Sequence, residues 1–151
     1  MPSVRIWEKK QIRLDRLNFS QNQLFKIGSV GVAAVKNRLA AAQGPDDSPA
    51  KPLSKRYAIQ KTKLGRGNRR TLSLSGNMLR NLMVRTVSEK AAKAGLTTRK
   101  DRIKAWANQR IEPWLVFSPK NKAAVFEAAR RVFEEAKKRM VLQRSLGGRH
   151  Q

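Results

Sequence analysis

Positive charge is the sequence feature that most limits how this chain can fold. The chain carries 34 Lys or Arg residues against 10 Asp or Glu residues, so its formal net charge is +24. Charges of one sign repel each other in a compact state, and they attract polyanions. Hydrophobic residues still make up 40% of the chain, which is enough for a folded core. We therefore expect a folded protein whose charge is neutralised by nucleic acid, an acidic protein surface or an anionic membrane.

The charge is most concentrated in residues 51–70, a segment without any acidic residue. Its basic residues are Lys51, Lys55, Arg56, Lys61, Lys63, Arg66, Arg69 and Arg70. A run of basic residues is usually a solvated face. The excess of positive charge along the whole chain, however, favours an electrostatic surface that binds phosphates or acidic protein. Binding to phosphates would weaken steeply with added salt.

Length and pattern predict one α+β domain over residues 1–151, with a basic loop or arm at 44–70 and a flexible tail at 145–151. Long helices near each end are expected to pack on a small, mostly antiparallel sheet of short strands. The chain has no cysteine, which excludes disulfides and thiolate metal sites. We also expect no transmembrane helix and no signal peptide, because apolar runs are short and the first residues lack an apolar core.

Helix signals are clearest near the two ends of the chain. Ser20 followed by Gln23 matches a capping box, and Leu24, Ile27, Arg38 and other residues follow at helical spacing. Gly28 and Gly31 indicate either close packing against another element or an imperfect, kinked helix. Ser118 and Pro119 predict the start of the last helix. Residues 53–64 predict a short basic helix.

The middle of the chain predicts short strands and one more helix. Residues 71–74 and 114–117 each read as a brief strand, and residues 83–88 and 91–97 read as a hairpin. Residues 98–109 predict a helix with Ile103, Trp106 and Ala107 facing inward. Trp7, Trp106 and Trp114 all have apolar neighbours, which favours core or interface packing over base stacking.

Catalytic chemistry is not expected. The one histidine, His150, is the second-last residue, and the carboxylates are scattered without metal-ligand spacing. Glu127 and Arg131 are four residues apart and predict a surface ion pair. We therefore expect neither an enzyme nor a bound cofactor or metal.

Three phrases carry a family resemblance. Residues 52–58 read PLSKRYA, residues 72–79 read LSLSGNML, and residues 114–119 read WLVFSP. In this order, they resemble the virion-morphogenesis family of tailed bacteriophages, the tail-completion or neck proteins related to that of phage Mu. The likeness covers roughly residues 20–140.

The resemblance implies a structural protein of the virion, assembled in the host cytoplasm, that completes the tail or joins it to the head as a ring of copies. Its partners would be other copies of itself, the portal-side head-completion protein, and the tail terminator or tube proteins. Genomic DNA in the lumen of the ring is a further candidate partner. The eight basic residues of segment 51–70 would then supply electrostatic docking. Ser75 and Gly76 would set a turn, while Trp114 and Phe117 would pack in the core or against a neighbouring copy.

Two other classes compete with this interpretation. Composition alone favours a non-specific nucleic-acid-binding protein of the ribosomal or nucleoid kind, although zinc-finger, basic-zipper and aromatic RNA-binding signatures are missing. A membrane-surface protein is disfavoured because the charged helix faces lack flanking aromatic anchors.

Overall fold

The computed structural model describes residues 19–65, 67–68, 77–88, 91–111 and 113–147. The elements along these residues are α1 (Gln21–Ala40), α2 (Lys55–Lys63), α3 (Asn77–Arg80), β1 (Leu82–Val87), β2 (Ala92–Leu96), α4 (Arg99–Ile111) and α5 (Pro119–Gly147). Long helices near both ends and a small antiparallel sheet confirm the predicted α+β class. The predicted strand at residues 71–74 lies outside the described residues. The predicted tail at 145–151 overlaps the last residues of α5, and residues 148–151 lie outside the described part.

Helix α1 begins at the predicted capping box. The Ser20 amide donates to Gln23 Oε1 at 2.8 Å, and the Gln23 amide donates to Ser20 Oγ at 3.3 Å. This exchange satisfies amides of the first turn that have no partner within the helix. The apolar residues at helical spacing, Leu24 and Ile27 among them, are buried.

Two glycines let α1 approach its neighbours closely. A Cβ atom built on Gly28 would lie 2.9 Å from Ala92 Cβ on β2 and 3.1 Å from Val84 Cγ2 on β1. A Cβ atom built on Gly31 would lie 3.0 Å from Cζ of Phe117. These distances are shorter than ordinary carbon contacts, so the glycines serve close packing, the first of the two interpretations of their positions.

Strands β1 and β2 form the predicted antiparallel hairpin. Leu82 pairs with Leu96 and Val87 with Ala92, with an irregularity between Val84 and Thr86. A two-stranded hairpin is only marginally stable by itself in water. Helix α1 supplies what the hairpin lacks, because it packs across both strands.

The core consists of two adjoining clusters of buried side chains. The larger cluster contains Val32, Val35, Leu39, Met78, Leu82, Leu96, Ala105, Trp114 and Leu115. The smaller cluster, between α1 and α5, contains Phe19, Leu24, Ile27, Val125 and Ala129. Phe117 packs against both clusters and joins them.

The strand predicted at residues 114–117 is wrong, because this segment is an irregular connection between α4 and α5. Side chains take up backbone groups that a strand would use for pairing. The amides of Trp114 and Leu115 donate to Gln109 Oε1 at 3.0 and 3.2 Å. The carbonyls of Trp114 and Val116 accept from the guanidinium of Arg38 at 2.5 and 3.0 Å. Trp114 and Leu115 are therefore buried, and Val116 and Phe117 half-buried, without pairing to a strand among the described residues.

Helix α4 forms close to the predicted limits, but the predicted inward face is wrong. Ile103, Trp106 and Ala107 are exposed, whereas Asp101 and Ala105 are buried. Polar contacts determine this orientation: the Thr98 hydroxyl and the Asn81 amide group each donate to Asp101 Oδ2 at 2.6 Å. An inward Asp101 anchors the start of α4, and the apolar residues consequently face outward.

Candidate docking surface

The basic segment 51–70 is largely surface. Lys51, Lys55, Arg56 and Lys63 are exposed, and the last three belong to α2. Arg66, Arg69 and Arg70 lie outside the described residues, as do Ser75 and Gly76 of the predicted turn. Four of the predicted docking cations are thus at the surface, one at the end of the loop before α2 and three on α2 itself.

Lys61 corrects one part of the predicted docking set. Its side chain is only 1% exposed and lies on the inner side of α2 with the half-buried Tyr57 and Ala58. Residues three and four apart share one side of a helix, so the exposed cations of α2 occupy the other side. Burial lowers the pKa of the Lys61 ammonium because it disfavours the charged form. Lys61 therefore lies on the inner side of α2 and is not presented at the surface with the other cations.

The loop between α1 and α2 holds this surface in place. The Gly44 amide donates to the Ser48 carbonyl at 2.7 Å, and the Ala50 amide donates to the Ala42 carbonyl at 2.8 Å. Ala42 and Asp47 adopt positive φ angles of 55° and 66°, a conformation that is uncommon for residues other than glycine. Much of the predicted loop or arm at 44–70 is consequently ordered: a turn closed by backbone hydrogen bonds is followed by helix α2.

Arg38 connects this loop to the segment before α5. The side chain is 3% exposed, and its guanidinium donates to Gly44 O at 2.6 Å as well as to the carbonyls of Trp114 and Val116. A planar guanidinium with five N–H groups suits several acceptors at once. Helical spacing predicted that Arg38 faces inward, but the spacing gave no sign that it links three segments.

The loop also contacts the start of α5. Asp47 Oδ2 accepts from the Lys120 amide at 3.0 Å. Ser118 Oγ accepts from the Asn121 amide at 3.1 Å, and the Ser118 amide donates to Asn121 Oδ1 at 3.3 Å. The helix start predicted at Ser118 and Pro119 is confirmed, with Asp47 as an additional acceptor from a distant part of the chain.

The two aromatic residues predicted for packing lie inside the fold. Trp114 is buried, and its indole N–H donates to the Ala105 carbonyl at 3.2 Å. Phe117 is half-buried between the two core clusters. Of the two predicted roles, core packing is the one observed for Trp114.

Helix α4 adds a cationic surface that sequence reasoning missed. Its five basic residues are all exposed: Arg99, Lys100, Arg102, Lys104 and Arg110. Between them lie two apolar side chains, Ile103 at 59% and Trp106 at 48% exposure. The guanidinium carbon of Arg110 lies 5.1 Å from the centroid of the Trp106 ring. The sequence signal is present, since apolar residues are interspersed among the basic ones, but the apolar pattern alone predicts a core position for them.

Helix α5 carries an apolar row beside the face that packs on α1. Phe126, Phe133 and Met140 are seven residues apart, so they lie on one side of the helix, and they are between 37% and 54% exposed. The Lys137 ammonium lies 5.9 Å from the centroid of the Phe133 ring. Val141 and Leu142 are exposed as well. We call Phe126, Phe133 and Met140 the α5 row.

Charged groups on α5 interact locally. The predicted ion pair is confirmed, because Arg131 Nε lies 3.0 Å from Glu127 Oε1, and Arg130 adds a contact of 2.9 Å to the other carboxylate oxygen. The hydrogen bonds from Arg130 and Arg131 lower the pKa of the Glu127 carboxyl.

A groove of about 200 Å³ between α1 and α5 is lined by side chains of both charges, including Lys26, Glu135 and Arg139.

The residues that the structure describes hold neither a metal-binding cluster nor a helix able to cross a membrane. In this part of the chain no three His, Cys, Asp or Glu side chains are grouped so as to hold a metal ion. None of the helices described there has both the length and the apolar character needed to cross a bilayer.

No family model matches the chain, and neither a curated protein nor a solved structure resembles it significantly.

Proposed function

We propose that the protein is a structural component of a tailed-phage virion, located at the neck, where a ring of copies completes the tail or joins it to the head. The proposal starts from the resemblance of residues 52–58, 72–79 and 114–119 to the virion-morphogenesis family. The first and third of these phrases lie at α2 and at the segment bound by Arg38. The third phrase is thus part of the core around Trp114 and Leu115, whereas the first is part of the exposed basic surface.

The observation that carries the proposal is the α5 row. Exposed apolar side chains grouped on one helix face are typical of protein–protein contact, because burying them in an interface removes them from water. A protein that contacts nucleic acid only through the phosphate backbone gains little from such a row, since phosphates contact cations and not phenyl rings. The row therefore favours an assembly part, and in the ring that the resemblance implies it would form the contact between neighbouring copies.

The remaining surface suits contacts with other rings. Lys55, Arg56 and Lys63 on α2 are positioned to meet acidic faces of the portal-side or tail-side neighbour. The hairpin is a second element for contacts between subunits, because a short sheet can be extended by a strand from another chain. Screening at physiological salt limits repulsion between exposed cations more than about 8 Å apart, so positively charged copies can still pack side by side.

Ring formation is tested with the purified full chain at physiological salt. We expect sedimentation and negative-stain images to reveal rings with a constant copy number, and images of virions to place the same ring at the neck. Phe126→Ser with Phe133→Ser should yield monomers. The matched control is Ile59→Ser with Leu64→Ser, which removes two exposed apolar side chains, one in α2 and one at its C-cap, and should leave the rings intact.

The competing class makes the opposite prediction. A non-specific nucleic-acid-binding protein would remain a monomer, would be absent from virions, and would bind duplex DNA or RNA with an affinity that falls steeply with salt. That combination would overturn the proposal.

A further inference from the structure

The outward face of α4 combines cations with exposed apolar side chains, and the proposed function gives this face no role. The buried side of the helix contains Asp101 and Ala105, so the opposite side is exposed. At 100° per residue, Arg99, Ile103, Trp106 and Arg110 lie near the middle of the exposed side. Arg102 lies on one flank of this strip, and Lys100 and Lys104 lie on the other.

The charge of this face is unopposed among the described residues of α4. The only acidic residue of the helix, Asp101, is buried and accepts hydrogen bonds from Thr98 and Asn81. Five cations surround two exposed apolar side chains, and the chain as a whole has a net charge of +24. The same α4 face of a second copy is a poor partner for this one, because both surfaces would carry positive charge.

Trp106 and Arg110 are arranged to receive a carboxylate. The Arg110 guanidinium lies over the Trp106 ring, 5.1 Å from its centroid, which limits the freedom of the arginine before any partner binds. A guanidinium held in this way can offer two parallel N–H groups to one carboxylate. The arginine also covers part of the ring, which leaves less of the indole available for stacking on a base.

Ile103 distinguishes a protein partner from nucleic acid. Its aliphatic side chain is 59% exposed and gains from burial only against another apolar group. A phosphate backbone contacts the surrounding cations but offers nothing to this side chain. An acidic amphipathic helix fits both features, with its apolar row against Ile103 and Trp106 and its carboxylates against the flanking cations.

We propose that the outward face of α4 is a docking surface for an acidic amphipathic helix of another protein. Ile103 and Trp106 bury its apolar row, and Arg99, Arg102 and Arg110 pair with its carboxylates. This inference goes beyond the neck assignment and depends only on α4, so it can hold or fail whether or not the protein forms rings.

The test uses the full chain and a labelled synthetic helix of 18 residues, with leucines on one face and glutamates on both flanks. A scrambled peptide of the same composition and a labelled 20-base-pair DNA duplex serve as comparison probes. Fluorescence anisotropy at physiological salt measures the affinity for each probe. We expect the amphipathic peptide to bind more tightly than its scrambled version.

The decisive comparison is Ile103→Ser against Ile59→Ser, because both isoleucines are 59% exposed and both lie on basic helices. We expect Ile103→Ser to weaken peptide binding about fivefold, as loss of an apolar interface contact would, and Trp106→Ser to weaken it further. Ile59→Ser should have less than a twofold effect. Neither isoleucine variant should shift the urea midpoint, since both side chains are exposed.

Four results would overturn the proposal. One is equal binding of the amphipathic and scrambled peptides, and another is an equal effect of the two isoleucine variants on peptide affinity. A third is weaker DNA binding by Ile103→Ser with unchanged peptide binding, which would assign the face to nucleic acid. The last is a loss of self-association by Ile103→Ser with unchanged peptide binding, which would assign it to a second copy.

Discussion

Replacing Arg38 with methionine tests whether one buried guanidinium holds the loop after α1 and the segment before α5 together. Methionine keeps much of the aliphatic stem but removes every N–H donor. The carbonyls of Trp114 and Val116 would lose the donor that Arg38 provides, and the Gly44 carbonyl would keep only the Asp47 amide at 3.2 Å. The Arg38 hydrogen bonds to Gly44 and Trp114 are buried. We therefore expect a large loss of stability without a change of fold class.

The size of the loss follows from two opposing contributions. Hydrogen bonds to a charged group stabilise a protein by about 1.5–3 kcal/mol each, so three of them would exceed about 4 kcal/mol. Burying the guanidinium itself costs several kcal/mol, and the variant no longer has that cost. The carbonyls left behind remain desolvated at a cost of about 1–3 kcal/mol each, so we expect a net loss of about 3–5 kcal/mol.

Urea unfolding followed by circular dichroism measures this loss. With a slope of about 2 kcal/mol per M, a loss of about 4 kcal/mol lowers the urea midpoint by about 2 M. Arg38→Lys keeps the charge but not the planar fork, so its midpoint should fall between those of Arg38→Met and the wild type. Lys26→Met removes an exposed cation from the same helix and should leave the midpoint nearly unchanged. A shift below about 0.5 M for Arg38→Met, or a wild-type midpoint for Arg38→Lys, would refute the reasoning.

Two further changes test the packing of α1 and the anchoring of α4. Gly28→Ala should destabilise the protein by about 1–3 kcal/mol through overpacking against Ala92, partly offset by the better helix propensity of alanine. The double variant Gly28→Ala with Ala92→Gly should recover part of this loss when urea unfolding is measured. If the effects of the two single changes on the free energy of unfolding simply add, the contact between residues 28 and 92 is contradicted. Hydrogen bonds from Thr98 and Asn81 lower the pKa of the Asp101 carboxyl, so the stability it provides is fully present above its ordinary pKa of about 3.9 and is lost as pH falls through its folded value. Asp101→Asn should therefore destabilise the protein at pH 7 and much less at pH 2, and an equal difference in urea midpoint at the two pH values would contradict this.

The helix limits and the hairpin were predictable because local signals determine them. Ser20 with Gln23 and Ser118 with Pro119 are start signals whose atoms lie within one turn of the helix. The hairpin follows from alternation and a short connection. These features need no knowledge of distant parts of the chain, which is why the sequence predicted them well.

The errors arose where polar side chains satisfy distant backbone groups. Residues 114–117 look like a buried strand because they are apolar, yet Arg38 and Gln109 take up backbone groups that a neighbouring strand would otherwise bind. Helix α4 turns its apolar residues outward because Asp101 is held by Asn81, 20 residues earlier in the chain. Apolar periodicity cannot indicate such contacts.

The candidate docking surface was predicted in part for the same reason. Charge density located the exposed cations of α2, but it could not separate the buried Lys61 from its neighbours, since all of them have the same residue type. The basic face of α4 was missed because Ile103 and Trp106 were expected in the core.

The link through Arg38 also has a consequence for synthesis of the chain on the ribosome. The arginine and the Trp114 carbonyl that it binds are separated by 76 residues. When α1 leaves the exit tunnel, this acceptor has not yet been translated, so the N-terminal half of the fold cannot close around its own arginine. Final closure of the domain waits until the segment before α5 has emerged, which leaves the apolar side of α1 open to chaperones during translation.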